Sequence, residues 1–382
     1  MSELIRPFRA AVPDADLADL GERLRNTRWP EPATVSDWSQ GVPLTYLQEV
    51  CRYWEEEYDW RAFEAHLNSF PQYLTEIDGV DIHFLHVRSP EPDALPVILT
   101  HGWPGSIAEF TDVIGPLTDP VAHGGDASEA ISLVVPSLPG FGFSGKPTGT
   151  GWNREHIADA WAELMDRLDY DRYGTQGGDW GASVSTRIAS RFPEHVAGVH
   201  LNLLIVGPAP GQVEFSPDEL AYIEKSKRAQ EEHGRWQEGY RAQQSTRPQT
   251  LGYGLTDSPA GQCAWILEKF HDWADCDGDP VAAFGMDRLL DNIALYWLTA
   301  TGTSSARIYW EAPPGAPSPQ VDVPAGTSIF PKELGHPFRP WAERVYPELC
   351  YWNELDKGGH FAAFEQPELF IKELRSFFKL VR

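Results

Sequence analysis

The chain has 382 residues, of which 42% are hydrophobic and 23% charged. At roughly 150 residues per domain this length corresponds to two or three structural units. The composition is that of a globular protein, which excludes a fibrous fold and disorder along the whole chain. The net charge of −25 would repel phosphate groups, so we expect neither nucleic acid nor an anionic lipid surface as a partner.

The cysteines and the N-terminal residues indicate the cellular compartment of the protein. The four cysteines are scattered and show no paired spacing, which fits a reducing environment. The first residues contain no apolar secretion signal, and no apolar run is long enough to span a bilayer. We therefore expect a soluble cytoplasmic protein without membrane attachment.

Roughly the first 70 residues have mostly helical patterns and are rich in aromatic side chains, which predicts an apolar segment that wraps over another surface. Residues 73–88 form two alternating segments around Asp78 and Gly79. This dipeptide suits the positive φ angles of a hairpin turn. An antiparallel hairpin is thus predicted to precede the remainder of the fold.

Short apolar runs then alternate with segments of helical length. Strands are predicted at residues 97–100, 132–135, 173–176 and 196–199, and helices at residues 152–168 and 182–192. Such alternation is typical of a parallel sheet with helices on both faces. The expected fold class is therefore α/β.

Glycine and proline residues after Val206 interrupt this alternation, and a polar, helix-like segment follows at residues 218–244. A proline-rich stretch at residues 313–319 precedes strand-like runs at 327–330 and 350–352 and an amphipathic helix at 367–380. The pattern predicts four regions: an N-terminal wrap with its hairpin (1–90), a first core segment (91–206), a helical insert (207–324) and a second core segment (325–382).

The sequence Gly-Gly-Asp-Trp-Gly at residues 177–181 lies between a predicted strand and a predicted helix. Small residues flank a central nucleophile where a strand-to-helix turn is too tight for other side chains. Asp179 is therefore a candidate nucleophile. The alternative is that Asp179 only caps the following helix.

The sequence His-Gly-Trp-Pro-Gly-Ser at residues 101–106 follows the strand predicted at residues 97–100. A loop in this position faces the strand-to-helix turn, so the backbone N–H groups of Trp103 and Trp180 are candidates for an oxyanion hole. A cis peptide before Pro104 fits such a loop. The alternative is a glycine-proline turn with no chemical role.

The third candidate is His360, in Gly-Gly-His-Phe at residues 358–361. A histidine that follows the nucleophile in chain order is typical of hydrolases with this turn, although a histidine after glycines is usually only a loop residue. Glu333, which lies 27 residues earlier, is the preferred orienting acid. Asp356 is the rival, but it is predicted to lie on the same loop as His360.

With these motifs, the chain resembles the microsomal-type epoxide hydrolases and their soluble bacterial and fungal relatives. The resemblance runs nearly end to end and includes residues 58–61, 70–73, 82–90 and 358–365. It implies an α/β-hydrolase fold with a mostly parallel sheet, a helical cap formed by the insert, and the wrapping N-terminal segment. It also implies that Asp179 is the nucleophile, His360 the general base and Glu333 the orienting acid.

In that family two cap tyrosines hold the epoxide oxygen as its bond to carbon breaks. Tyr309 and Tyr240 match them, whereas Tyr222, Tyr253 and Tyr296 also lie in the cap. The implied reaction converts a small apolar or aryl epoxide and water to a vicinal diol through an aspartyl ester. It requires no metal and no organic cofactor.

Several points stay open on the sequence. Membrane-bound members of the family carry an N-terminal anchor, and we expect none in this protein. The resemblance is consistent with a homodimer. Detoxification and natural-product biosynthesis, including that of enediyne antibiotics, are both candidate contexts. The alternative functions are a haloalkane dehalogenase, which shares the aspartate nucleophile and often a following tryptophan, and an inactive hydrolase-fold protein that only binds a partner.

Overall fold

The structure is a computed structural model that describes residues 4–229, 231, 238–312 and 318–382. Within these residues, nine strands form one sheet in the order β1-β2-β3-β5-β4-β6-β7-β8-β9. The strands are β1 Ile5–Phe8, β2 Gln72–Ile77, β3 Val80–Val87, β4 Leu95–Thr100, β5 Ile131–Pro136, β6 Tyr173–Gly177, β7 Val196–Leu201, β8 Ala325–Ile329 and β9 Leu349–Glu354. The pairs that involve β1 to β3 are antiparallel, and the pairs among β4 to β9 are parallel.

Helices occupy most of the chain outside the sheet. They are α1 Asp14–Arg25, α2 Leu44–Glu56, α3 Trp60–Leu67, α4 Thr111–Thr118, α5 Arg154–Arg167, α6 Asp179–Arg191, α7 Pro217–Ala229, α8 Gly239–Thr246, α9 Pro248–Asp257, α10 Pro259–Trp273, α11 Pro280–Phe284, α12 Met286–Leu298, α13 Gly302–Glu311, α14 Arg339–Val345, α15 Ala362–Glu365 and α16 Pro367–Val381. Short 3₁₀ turns lie at Ile107–Phe110, Val121–His123 and Ala127–Glu129. In the described stretches, no helix combines the length and the apolar character needed to cross a bilayer.

The sheet has helices on both faces, as the alternation of strands and helices predicted. A Cβ atom on Gly174 of β6 would overlap the ring of Phe378 in α16. The next residue, Thr175, hydrogen-bonds through its hydroxyl to the Ser185 hydroxyl in α6 at 2.9 Å. Successive residues of a strand point to opposite faces, so α6 and α16 cover opposite sides of the sheet.

The predicted strands of the core coincide with β4 to β9, and the predicted hairpin is confirmed. Asp78 and Gly79 form its turn with φ angles of 48° and 77°. Strand β1 is an addition that the sequence analysis missed, because its four residues include a proline and pair only with β2 at the sheet edge. Helix α6 begins at Asp179, three residues earlier than predicted.

Helices α7 to α13 lie between β7 and β8 in the chain, within the predicted insert. Of the polar segment predicted as helical, α7 and the first residues of α8 are described, whereas residues 230 and 232–237 lie outside the described residues. Most of the proline-rich stretch, residues 313–317, also lies outside them.

The N-terminal segment contacts the insert through tyrosine side chains. Three tyrosines of the segment donate hydrogen bonds of 2.8 to 2.9 Å to aspartates that precede or belong to α11 and α12. The pairs are Tyr46 with Asp279, Tyr53 with Asp287 and Tyr58 with Asp291. The wrap thus holds the insert in place from outside the sheet.

Candidate active site

Asp179 occupies a strained turn between β6 and α6. Its φ angle is 47°, in the left-handed region that residues other than glycine rarely adopt. Such a residue persists only where the surrounding structure enforces it, and these positions cluster at active sites. The turn places the carboxylate in a cavity beneath the insert.

The glycines around Asp179 are required by close packing of the turn. A Cβ atom on Gly177 would overlap the backbone of Gly181, and one on Gly181 would overlap the carbonyl oxygen of Thr100. Gly178 is different, since its nearest neighbour would be Asn202 Cβ at 3.8 Å. The steric reason predicted for this motif therefore holds at two of its three glycines.

The loop at residues 101–106 faces Asp179 as predicted. The backbone N–H of Trp103 donates a hydrogen bond of 2.8 Å to Asp179 Oδ1. The peptide bond between Trp103 and Pro104 is cis. The second predicted donor, Trp180, lies in the first turn of α6, where backbone N–H groups lack intrahelical acceptors. Its role in an oxyanion hole stays a prediction.

Helix α12 of the insert fixes this loop through two polar side chains. Asn292 donates to the carbonyl of Pro104 at 2.8 Å and accepts from the Ser106 hydroxyl at 2.7 Å. Tyr296 donates to the carbonyl of Gly105 at 2.7 Å. The position of the candidate oxyanion donor thus depends on the insert as well as on the sheet.

Asp179, His360 and Glu333 lie together although they come from distant parts of the chain. His360 Nδ1 is 2.6 Å from Glu333 Oε1, and His360 Nε2 is 3.5 Å from Asp179 Oδ2. The side chains of His360 and Glu333 are 3% and 1% exposed. Asp356, the rival acid, is exposed and is not within hydrogen-bonding distance of His360. The geometry therefore favours Glu333 as the partner of the imidazole.

Two opposing effects act on the pKa of His360. Burial alone would lower it, but the carboxylates of Glu333 and Asp179 outweigh this effect and raise the pKa well above its usual range. His360 is therefore a cation between two carboxylates in the free protein. A short bond to Glu333 leaves Nε2 as the nitrogen that faces the candidate nucleophile.

Tyr309 and Tyr240 extend from the insert toward Asp179. The Tyr309 ring lies 4.8 Å from Trp180 and 5.7 Å from Tyr240, and the Tyr240 ring stacks on Trp103 at 5.2 Å. Burial, together with the nearby charge of Asp179, raises the pKa of both tyrosines. Both hydroxyls therefore stay protonated at neutral pH and can donate hydrogen bonds.

The other tyrosines considered in the insert are engaged elsewhere. Tyr222 donates to the carbonyl of His336 at 2.8 Å, Tyr296 donates to Gly105, and Tyr253 is 71% exposed. The hydroxyl of Tyr309, by contrast, is buried and makes no hydrogen bond of ordinary length and angle within the described part of the chain, although Tyr240 and Trp180 are close enough to influence its pKa. Burying a hydroxyl donor without an acceptor costs free energy, so we expect a ligand to accept its hydrogen bond.

A cavity of about 410 Å³ separates the tyrosines from the sheet. Asp179 and both tyrosines line it, and Trp180, Leu203 and Trp273 contribute apolar walls. This size suits a small organic molecule.

Trp273 is a site residue that the sequence analysis missed. Its ring packs against His360 at 5.1 Å, and its carbonyl accepts a hydrogen bond of 3.0 Å from the His360 backbone N–H. It lies at the end of α10, far from any of the three motifs, and no local pattern distinguishes it from a core tryptophan. A further missed residue, Glu109, is an acid within an otherwise apolar 3₁₀ turn, and that contrast was the available signal.

Comparison with known proteins identifies relatives along the whole chain. The family model "Epoxide hydrolase N terminus" matches residues 5–110, and the model "alpha/beta hydrolase fold" matches residues 96–256. A "Putative epoxide hydrolase" of Stigmatella aurantiaca is 55% identical over 99% of this chain and 86% of its own length. "Epoxide hydrolase 1" of Sus scrofa is 36% identical over 99% of this chain and 89% of its own length. The crystal structure of juvenile hormone epoxide hydrolase from Bombyx mori superimposes with a TM-score of 0.87 at 31% identity, covering 99% of this chain and 95% of that one.

The packing of the Asp179 turn yields a matched pair of substitutions within one motif. Gly181→Ala places a methyl group against backbone that cannot rotate away, so we expect a loss of about 3 kcal/mol or more in the free energy of unfolding, or no folded protein. Gly178→Ala places its methyl group at an ordinary contact distance from Asn202 Cβ and should cost less than about 1 kcal/mol. Denaturant unfolding measures both; equal effects would contradict the described packing.

Proposed function

The chain belongs to the epoxide hydrolase family and has the α/β-hydrolase fold, and from this we propose that Asp179 is the residue through which it opens an epoxide ring. The single observation that carries the proposal is the position of the Asp179 carboxylate. It lies between a backbone N–H donor, an imidazole paired with a buried acid, and a cavity that also holds two tyrosines.

The first half-reaction is displacement at saturated carbon. A carboxylate with a reference pKa near 3.9 is ionised at neutral pH and needs no base, unlike a serine hydroxyl. Trp103 holds Asp179 Oδ1, and Oδ2, which lies 3.5 Å from His360 Nε2, is the oxygen that attacks an epoxide carbon in this scheme. The C–O bond of the ring breaks as the ester forms, and the ring oxygen takes a proton from a tyrosine hydroxyl. The proton that His360 releases when its pKa falls replaces that tyrosine proton by way of solvent.

Tyr309 and Tyr240 supply hydrogen bonds to the departing oxygen. An epoxide oxygen gains negative charge as its bond breaks, and a positioned proton donor stabilises that charge. The unpartnered, buried hydroxyl of Tyr309 supports this role, because the epoxide oxygen would be its missing acceptor. Tyr240, which lines the same cavity, is the second donor in this scheme.

The second half-reaction is hydrolysis of the ester, with His360 as general base. Ester formation removes the negative charge of Asp179, which is one cause of the raised pKa of His360. The pKa of the imidazole therefore falls when the ester forms, so that a larger fraction of His360 is neutral and able to accept a proton. Glu333 orients the imidazole, and the N–H groups of Trp103 and Trp180 hold the tetrahedral oxyanion.

The substrate class follows from the cavity. Its tryptophan and leucine walls suit an apolar or aryl epoxide. Both half-reactions use side chains and backbone groups of this chain. The product is the vicinal diol.

A cytoplasmic location, a homodimer, and a role in natural-product biosynthesis or detoxification stay predictions from the sequence.

Dehalogenation is the second candidate, because the indole Nε1 of Trp180 is buried beside Asp179 and could bind a halide ion. The two tyrosines favour the epoxide, since a halide needs no proton. Release of bromide from a primary bromoalkane at a rate comparable with epoxide turnover would support dehalogenation. Absence of turnover on every epoxide would support an inactive binding protein.

Replacement of His360 separates the two half-reactions. His360→Gln should consume about one equivalent of styrene oxide and then stop, because general-base assistance is typically worth ~10²–10⁴-fold and the ester persists without it. Intact-protein mass spectrometry should show the mass of one epoxide added, and peptide mapping should place it within residues 177–181. Asp179→Ala is the control and should gain no mass. An unmodified His360→Gln protein, or an adduct at Cys263, Cys350 or His336, would refute the assignment.

Removal of the Tyr309 hydroxyl should affect only ring opening. We expect Tyr309→Phe to slow alkylation by roughly 10- to 100-fold and to leave ester hydrolysis within about threefold, since the hydroxyl acts on the epoxide oxygen. Single-turnover stopped-flow measurement of tryptophan fluorescence separates the two rates. The exposed Tyr253→Phe is the matched control and should change neither. Slower hydrolysis with unchanged alkylation would show that Tyr309 has a different role.

A further inference from the structure

A second, much smaller cavity lies beside Asp179. Its volume is about 20 Å³, which is enough for one water molecule. Of the described residues, Asp179 alone lines both this cavity and the larger one that holds the tyrosines. The two cavities therefore give access to the same carboxyl group from different sides.

Polar side chains converge on the small cavity. His360, Gln176, Asn202 and Glu109 all line it. Gln176 and Asn202 are 1% and 4% exposed, and Gln176 Oε1 and Asn202 Nδ2 have no hydrogen-bond partner in the described part of the chain. Buried polar atoms of this kind are usually completed by an ordered water molecule.

Glu109 reaches this cavity because the preceding loop leaves space for it. It belongs to the 3₁₀ turn that follows residues 101–106. A Cβ atom on Gly105 would overlap Glu109 Oε1, so the carboxyl group occupies the space that any other residue at position 105 would fill. The position of the Glu109 carboxyl thus depends on glycine at position 105, four residues earlier.

The Glu109 carboxyl is mainly protonated at neutral pH. Burial raises its pKa to about 8; the charge of Asp179 adds to this rise, while His360 and the Ser106 N–H oppose it. A protonated carboxyl is a hydrogen-bond donor. It can therefore donate to a water oxygen whose own protons face acceptors elsewhere in the cavity.

We propose that this small cavity is the binding site of the hydrolytic water and that Glu109 and His360 hold that water against the ester of Asp179. The inference rests on the proposed function, because it assigns the site of the second reactant. Glu109 donates to the water oxygen, and the water donates one proton to His360 Nε2 and the other to Gln176 Oε1. The remaining lone pair faces the ester carbonyl carbon.

The step balances with the groups present. The water oxygen forms a bond to the ester carbonyl carbon, and one of its protons passes to His360. The bond from that carbon to the alkyl oxygen then breaks, and the proton passes from His360 to the departing alkoxide. The products are the diol and the Asp179 carboxylic acid, whose remaining proton passes to His360 and restores the imidazolium of the free protein, while Glu109 keeps its proton throughout.

Two substitutions at Glu109 test the water site. Glu109→Leu removes the donor and fills the cavity, so ester hydrolysis should slow by roughly 10- to 100-fold while alkylation stays within about threefold. Glu109→Gln keeps a donor of the same shape and should hydrolyse the ester within about fivefold of the unmodified rate. Single-turnover stopped-flow fluorescence with styrene oxide measures both steps. Unchanged hydrolysis in Glu109→Leu, or equal slowing of both steps, would overturn the proposal.

A second pair of variants removes any dependence on how well Glu109→Leu folds. Gly105→Ala should displace the Glu109 carboxyl and slow hydrolysis selectively, whereas the same change in a Glu109→Ala background should add little, since the space is then free. Additive effects of the two substitutions would contradict the proposal. Ester formation by the unmodified chain tests the proposed function separately. If no ester forms, the proposed function is wrong. If the ester forms but its hydrolysis rate is unchanged by these substitutions, only the proposed water site is wrong.

Discussion

The structure depends on the burial of a row of three ionisable groups, Glu333, His360 and Asp179. Burying the Glu333 carboxylate near the largely buried Asp179 carboxylate is unfavourable, and the protonated imidazole between them compensates for it. The remaining oxygen of Glu333 has no partner in the described residues, so the pairing with His360 is the main compensation for its burial. Any chemical step that changes the charge of Asp179 therefore changes the basicity of His360.

This coupling explains why one imidazole can take part in a two-step reaction without a separate switch. With Asp179 ionised, His360 is a cation and stabilises the charged form of the carboxylate that acts as the nucleophile. With Asp179 esterified, the imidazole loses one of the two charges that raised its pKa. The order of the two half-reactions then follows from electrostatics, and the two cavities that meet at Asp179 provide separate places for the two reactants.

The sequence was sufficient to predict the parts of the site whose constraints are local. Gly177 and Gly181 are needed because backbone atoms come too close there for a side chain, and such needs appear as a short motif. The alternation that predicted β4 to β9 is likewise a local pattern. Tyr309 and Tyr240, by contrast, were identified by resemblance to a family, because nothing in their immediate surroundings distinguishes them from the other tyrosines of the insert.

Trp273 and Glu109 were not predicted, and the reason is physical. Trp273 acts on His360 through its ring and its carbonyl, contacts that form only when α10 folds over the sheet. Glu109 had a local signal, an acid among apolar residues, but its role depends on the space left by Gly105, which the structure is needed to show. Contacts of this kind require the arrangement of elements before they can be recognised.

The central claim is that water attacks an ester of Asp179 and never the epoxide itself. A single turnover in ¹⁸O-labelled water, with the protein in excess over styrene oxide, tests it directly. The predicted result is a diol without label and one ¹⁸O atom in the peptide that contains Asp179, found by mass spectrometry after proteolysis. Label in the diol of this first turnover, with Asp179 unlabelled, would contradict it.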